Sequence, residues 1–180
     1  MSTPASAAVA SARRFIESTD FANNGSIDEI GASVRFTSAG EQAARDVIAS
    51  SAETDVLWAA LWVYASAGSD PAVVRPLIDN ADPSIRAMAA ATMVALGDAS
   101  GFDALNGLIG DETQLLGSHP PLSIREYVIG TFERYIAAAG TPTPPQTAEE
   151  LGPAALAWST WLGQNAPALH FDAADGTWKL

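Results

Sequence analysis

The chain has 180 residues, 48% of them apolar and 17% charged, a balance that lets one domain bury a substantial core and excludes a disordered chain. Nine basic residues against 21 acidic ones give a net charge of −12, and the single lysine is Lys179; nucleic acid and anionic membranes are therefore not expected as ligands, because both are bound through Lys and Arg. With no cysteine, disulfides, thiolate catalysis and cysteine-ligated metal are excluded.

Residues 1–12 are small and apolar but lack a basic start and a bulky hydrophobic run, so no signal peptide is expected. No window approaches a membrane span, and the expected location is cytoplasmic. Val9, Phe15 and Ile16 in an Ala-rich background predict a helix over 4–18. Asn23-Asn24-Gly25 and scattered apolar residues mark 19–37 as irregular or a short helix between connectors. Ser38 and Glu41 have the spacing of a capping box, which predicts a helix over about 39–50.

From Asp55 to Ala67 the apolar residues Val56, Leu57, Trp58, Leu61, Trp62 and Tyr64 surround the helix, so it belongs in the core; Gly68 stops it. Asp70-Pro71 opens a short helix containing Leu77 and Ile78, with Pro76 removing one amide. The next helix has the clearest signals of the chain. Asp82 can cap it, Pro83 suits its first position, and Gly97 can close it in a left-handed conformation. A partner helix is predicted at 101–109. Leu77-Ile78 recurs as Leu108-Ile109, a period of 31 residues, and Ile85-Arg86 recurs as Ile124-Arg125 after an insertion at 110–121 that is expected to loop out. A helix over 123–139 ends at Gly140. The Pro-rich stretch 141–145 is extended, a last helix covers about 148–165, and the tail alternates as a small hairpin.

Asp82-Pro83, Arg86, Ala89-Ala90, Leu96-Gly97-Asp98 and the run from Leu105 to Ile109 resemble the HEAT-repeat family, whose units pair two antiparallel helices. The units around 53–80 and from 122 are degenerate copies. The closing segment with Trp158, Trp161, Phe171-Asp172 and Gly176-Thr177-Trp178 is similar to that of many bacterial HEAT-like proteins. The resemblance covers about 40–180 and implies an all-α, short α-α superhelix of about three helix pairs, ending in a small C-terminal β-hairpin. Residues 1–37 would be an N-terminal helical cap and connector, and 38–180 the repeat domain, within one compact domain.

Chemistry is sparsely represented. His119 and His170 lack a neighbouring nucleophile pattern, and no phosphate-binding glycine loop occurs. His119 with Asp111 and Glu112 would make a metal site only if the connector folded back; the plainer reading is a loop histidine beside solvated acids. The spacings Trp58–Trp62 and Trp158–Trp161 place each pair on one helix face, which suits core packing, with a ligand pocket as the alternative. Arg86 is read as structural glue, and Glu149 and Glu150 as favourable charges at a helix start. No catalytic residue, cofactor or metal is assigned.

The resemblance implies a protein-protein interaction module without catalysis, an adaptor or scaffold binding on its concave acidic surface. In the family's geometry the second helices line that surface, which here presents Arg75, Asp79, Asn80, Asp103 and Asn106, with Gln164 from the last helix. Asp111, Glu112, Gln114 and His119 extend the rim through the inserted loop. The acidity either keeps an Ala-rich surface soluble or steers a basic protein partner. Two alternatives stand beside this reading: an immunity protein neutralising a basic toxin, and a HEAT-type enzyme or ligand-binding chaperone using a Trp-lined cavity.

Overall fold

The computed structural model describes residues 4–18, 34–118 and 120–180. Their helices are α1 (Pro4–Glu17), α2 (Ser38–Ser50), α3 (Thr54–Ala67), α4 (Pro83–Ala95), α5 (Ser100–Leu108), α6 (Ile124–Tyr135) and α7 (Leu151–Asn165), followed by the antiparallel pair β1 (His170–Asp172) and β2 (Thr177–Lys179). The protein is thus all-α with a terminal hairpin. Phe171 faces Trp178 across the two strands. The reading of 19–37 as irregular falls mostly outside the described residues.

Helix α4 follows its local signals. The Asp82 side chain accepts a hydrogen bond from the Ser84 amide at 2.8 Å, Pro83 occupies the first turn, and Gly97 has φ +83°. Ser84, Ile85 and every residue from Ala87 to Val94 are buried, as expected of a helix apolar on all sides. Small residues allow this crowding: a Cβ added to Gly101 would lie 2.6 Å from the Ala90 carbonyl oxygen, so only glycine lets α5 approach α4 so closely.

The core has two halves that share α4. Ile85, Met88, Ala89 and Met93 pack with Ile16, Val47, Leu61 and Tyr64. Ala87, Ala90, Ala91 and Val94 pack with Phe102, Phe132, Trp158 and Trp178. The hairpin closes the second half, where the Trp178 indole N–H donates to the Val94 carbonyl at 2.9 Å.

Four local expectations are corrected. Helix α2 is capped by Thr37, whose hydroxyl accepts from the Gly40 amide at 3.0 Å; Glu41 instead bonds Arg45 and Ser69. The capping signal was displaced by one residue because Thr37 and Ser38 both have suitable side chains. Residues after Asp70 form two 3-10 segments, Pro71–Val73 and Arg75–Asp79, since Pro71 and Pro76 leave too few amides for an α-helix. Helix α6 starts with a complete Ser123–Glu126 capping box but ends at Tyr135, short of 139. There Ile136 bridges to Trp178, and the Ala137 amide donates to the Trp178 carbonyl at 2.8 Å.

The fourth concerns the 110–121 insertion, which folds back. Leu115 is buried, its amide donates to the Leu122 carbonyl at 2.8 Å, and the Leu116 amide donates to the Ser84 hydroxyl at 3.0 Å. Burying Leu115 removes apolar surface from water, and the local pairing satisfies the backbone groups that go with it.

Candidate binding surfaces

Two concave regions flank α4. One is a groove of about 480 Å³ between the 75–79 segment and α5, lined by Ile78, Asp79, Arg86, Asp103, Ala104 and Leu108. Asp79 and Asp103 are exposed, and neither is ion-paired among the described residues. Arg86 is held away from them: its guanidinium donates to the Asn80 and Ala81 carbonyls at 2.8 and 2.9 Å. It clamps the turn before its own helix, the structural use foreseen for it, reaching back along the chain.

The other predicted partner-binding residues divide into those left available and those already engaged. Arg75 is exposed but pairs with Asp98. Burial pushes the Asp98 carboxyl upward, but bonds from the Ser100 hydroxyl and amide, together with Arg75, hold it below its usual value. Asn80 accepts from the Asp82 amide at 2.9 Å. Asn106 is half-buried, and its side-chain oxygen has no hydrogen-bond partner among the described residues. Asp111 is held low by the hydroxyl and amide of Thr113, and Glu112 pairs with Arg125 at 2.9 Å. Gln114 and Gln164 are exposed on separate elements. His119 lies outside the described residues, and His170 is exposed on β1. Asp79 and Asp103 are brought together in the groove, whereas Asp111, Glu112 and Gln114 do not line it. No group of three or more His, Cys, Asp or Glu capable of holding a metal occurs among the described residues.

The second region lies on the other side of α4, where α3, α4 and α6 enclose a pocket of about 360 Å³. Its aromatic walls are Trp58, Trp62, Tyr127 and Tyr135, and its cationic groups are Arg35 and Arg134. Arg35 lies over the Trp62 ring with its guanidinium carbon 3.9 Å from the centroid, and its Nε donates to the Ser66 hydroxyl at 3.1 Å. Ala91, Thr92 and Gly130 also line the space; their small side chains leave it unfilled. The Thr92 and Thr131 hydroxyls donate back to the Met88 and Tyr127 carbonyls, both at 2.8 Å. Burial pushes the Tyr127 phenol well above its ordinary value, keeping it a neutral donor.

Sequence reasoning favoured core packing for the tryptophan pairs, with a ligand pocket as the alternative. Trp158, Trp161 and Trp178 are in the core, stacked with Phe102 and Phe132. Trp58 is buried and Trp62 half-buried, and both also wall the pocket. Arg35, Tyr127 and Arg134 were missed. One signal was available for α6: Tyr127, Thr131, Arg134 and Tyr135 form a second stripe at helical spacing, next to the apolar stripe of Ile124, Val128 and Phe132.

An all-α domain with two grooves beside a buried helix defines a class of architecture rather than an activity. Compared with protein-family models, curated proteins and solved structures, the chain matches none of them. Among the described residues, no helix is long and apolar enough to cross a membrane.

Proposed function

We propose that this protein is a HEAT-like binding module whose acidic groove engages a basic protein partner. The observation that supports the reading is the pair Asp79 and Asp103, two exposed carboxylates that line one groove and have no ion-pair partner among the described residues. A net charge of −12 adds long-range attraction for a cationic surface. A cationic toxin is one such partner, and binding it would make the chain a neutralising protein. Affinity capture by the full chain, at low and high salt, tests the proposal. It expects a basic protein that is released by salt and no longer retained by the Asp79→Asn/Asp103→Asn variant. A partner indifferent to both treatments contradicts it.

The aromatic pocket favours a second reading, that the module also holds a small molecule. Its volume of about 360 Å³ lies within the range of drug-sized ligand sites, and its apolar walls with a few polar groups have their usual make-up.

A further inference from the structure

We infer that the pocket between α3, α4 and α6 takes a small organic anion with a flat apolar body, an aromatic carboxylate, whose charge is bound by Arg134. The inference rests on the small-molecule reading above and adds the ligand's class.

The charge pattern of the molecule is the first argument. Acidic residues outnumber basic ones by 21 to nine, and the basic residues are largely consumed by them: Arg13, Arg45, Arg75, Arg125 and Lys179 each pair with a carboxylate. Arg86 is spent on backbone carbonyls. Arg14 and Arg134 are both exposed and have no carboxylate partner among the described residues, and of the two only Arg134 lines the pocket. An exposed guanidinium on a pocket wall is suited to bidentate recognition of an incoming carboxylate.

The walls supply the second argument. Trp58, Trp62, Tyr127 and Tyr135 present aromatic surface for a flat ring, which gains from stacked or edge-on contact. Arg35, seated on Trp62, places a second positive charge in the lining. One carboxylate also lines the space, that of Glu126, but its Oε2 accepts from the amide and hydroxyl of Ser123, both at 2.7 Å. It is bound to the start of α6, and two helical turns, about 12 Å, separate it from Arg134. The lining therefore combines two guanidinium groups suited to an anion with four aromatic rings suited to a flat body. The net charge of −12 repels anions in general, so selective anion uptake demands a local site.

Calorimetric titration of the full chain with naphthalene-2-carboxylate and with the neutral naphthalene-2-carboxamide tests the inference. The acid is expected to bind saturably and about ten-fold tighter than the amide, the ratio of one charge-assisted contact. Arg134→Gln should bring that ratio to about one while melting like the parent, and Arg14→Gln, outside the pocket, should leave it unchanged. Equal binding of acid and amide overturns the anion assignment and leaves the small-molecule reading standing. Saturable binding of neither overturns both. A preference for the acid that survives Arg134→Gln, or that Arg14→Gln abolishes equally, overturns the role of Arg134.

Discussion

The tryptophans of α3 and those of α7 have similar helical spacing and different surroundings. Trp158 sits with its ring centroid 5.5 Å from Phe132 and 5.8 Å from Trp161, in a half of the core that Phe102 and Trp178 complete. Trp58 and Trp62 instead line the pocket, together with Ala91 and Thr92 of α4, Gly130 of α6, and the larger Met88, Tyr127 and Tyr135. Trp58 at the same time belongs to the first half of the core. The comparison teaches that indoles at similar helical spacing close a core or wall a pocket according to what borders them.

The largest expected effect breaks the closed side. Trp158→Ala removes a side chain that is 1% exposed and should cost about 3–5 kcal/mol, lowering the melting temperature by roughly 6–20 °C in a thermal unfolding experiment. Next comes Gly97→Ala, on the turn beside that same half. The left-handed backbone, and a Cβ that would lie 2.6 Å from the Phe171 ring, together predict a loss of about 2 kcal/mol by denaturant titration. On the open side, Trp62→Ala should cost only about 1 kcal/mol, mostly its contact with Arg35, yet weaken naphthalene-2-carboxylate binding about ten-fold.

A fourth prediction concerns the hairpin alone. Bonds from Lys179 and then Thr177 hold Asp175 down at about 2, and Lys179 with the Ala174 amide lowers Asp172. Carboxylates depressed in the folded state stabilise it above their unfolded value, and that contribution is lost as pH falls through the folded value. Acidification from about pH 4 to about pH 2 should therefore loosen the hairpin, with an NMR midpoint for the Asp175 carboxyl carbon near 2. A midpoint near that of a free aspartate would remove the Lys179 clamp from the account.

Local signals were legible at some helix ends and not at others: Thr37, next to the expected Ser38, caps α2. Asp82, Pro83 and Gly97 act within one turn of the helix ends they control, as Ser123 and Glu126 do for α6. Where a distant segment decides, local signals mislead: α6 stops early because β2, some forty residues on, takes the backbone of Ile136 and Ala137. The inserted loop follows Ser84, 32 residues before Leu116. The acidic groove could be anticipated in part, since Asp79 and Asp103 were both expected on the concave surface. The pocket was foreseen only as a tryptophan-lined alternative; its arginines were not, because Arg35 and Arg134 come from elements separate from the Trp62 helix.

The most direct test of the division between the two sets of tryptophans follows the five indole N–H signals by NMR while naphthalene-2-carboxylate is added. The signals of Trp58 and Trp62 should shift together along one saturating curve while those of Trp158, Trp161 and Trp178 stay in place. Saturating shifts confined to the latter three, or equal shifts of all five, would contradict it.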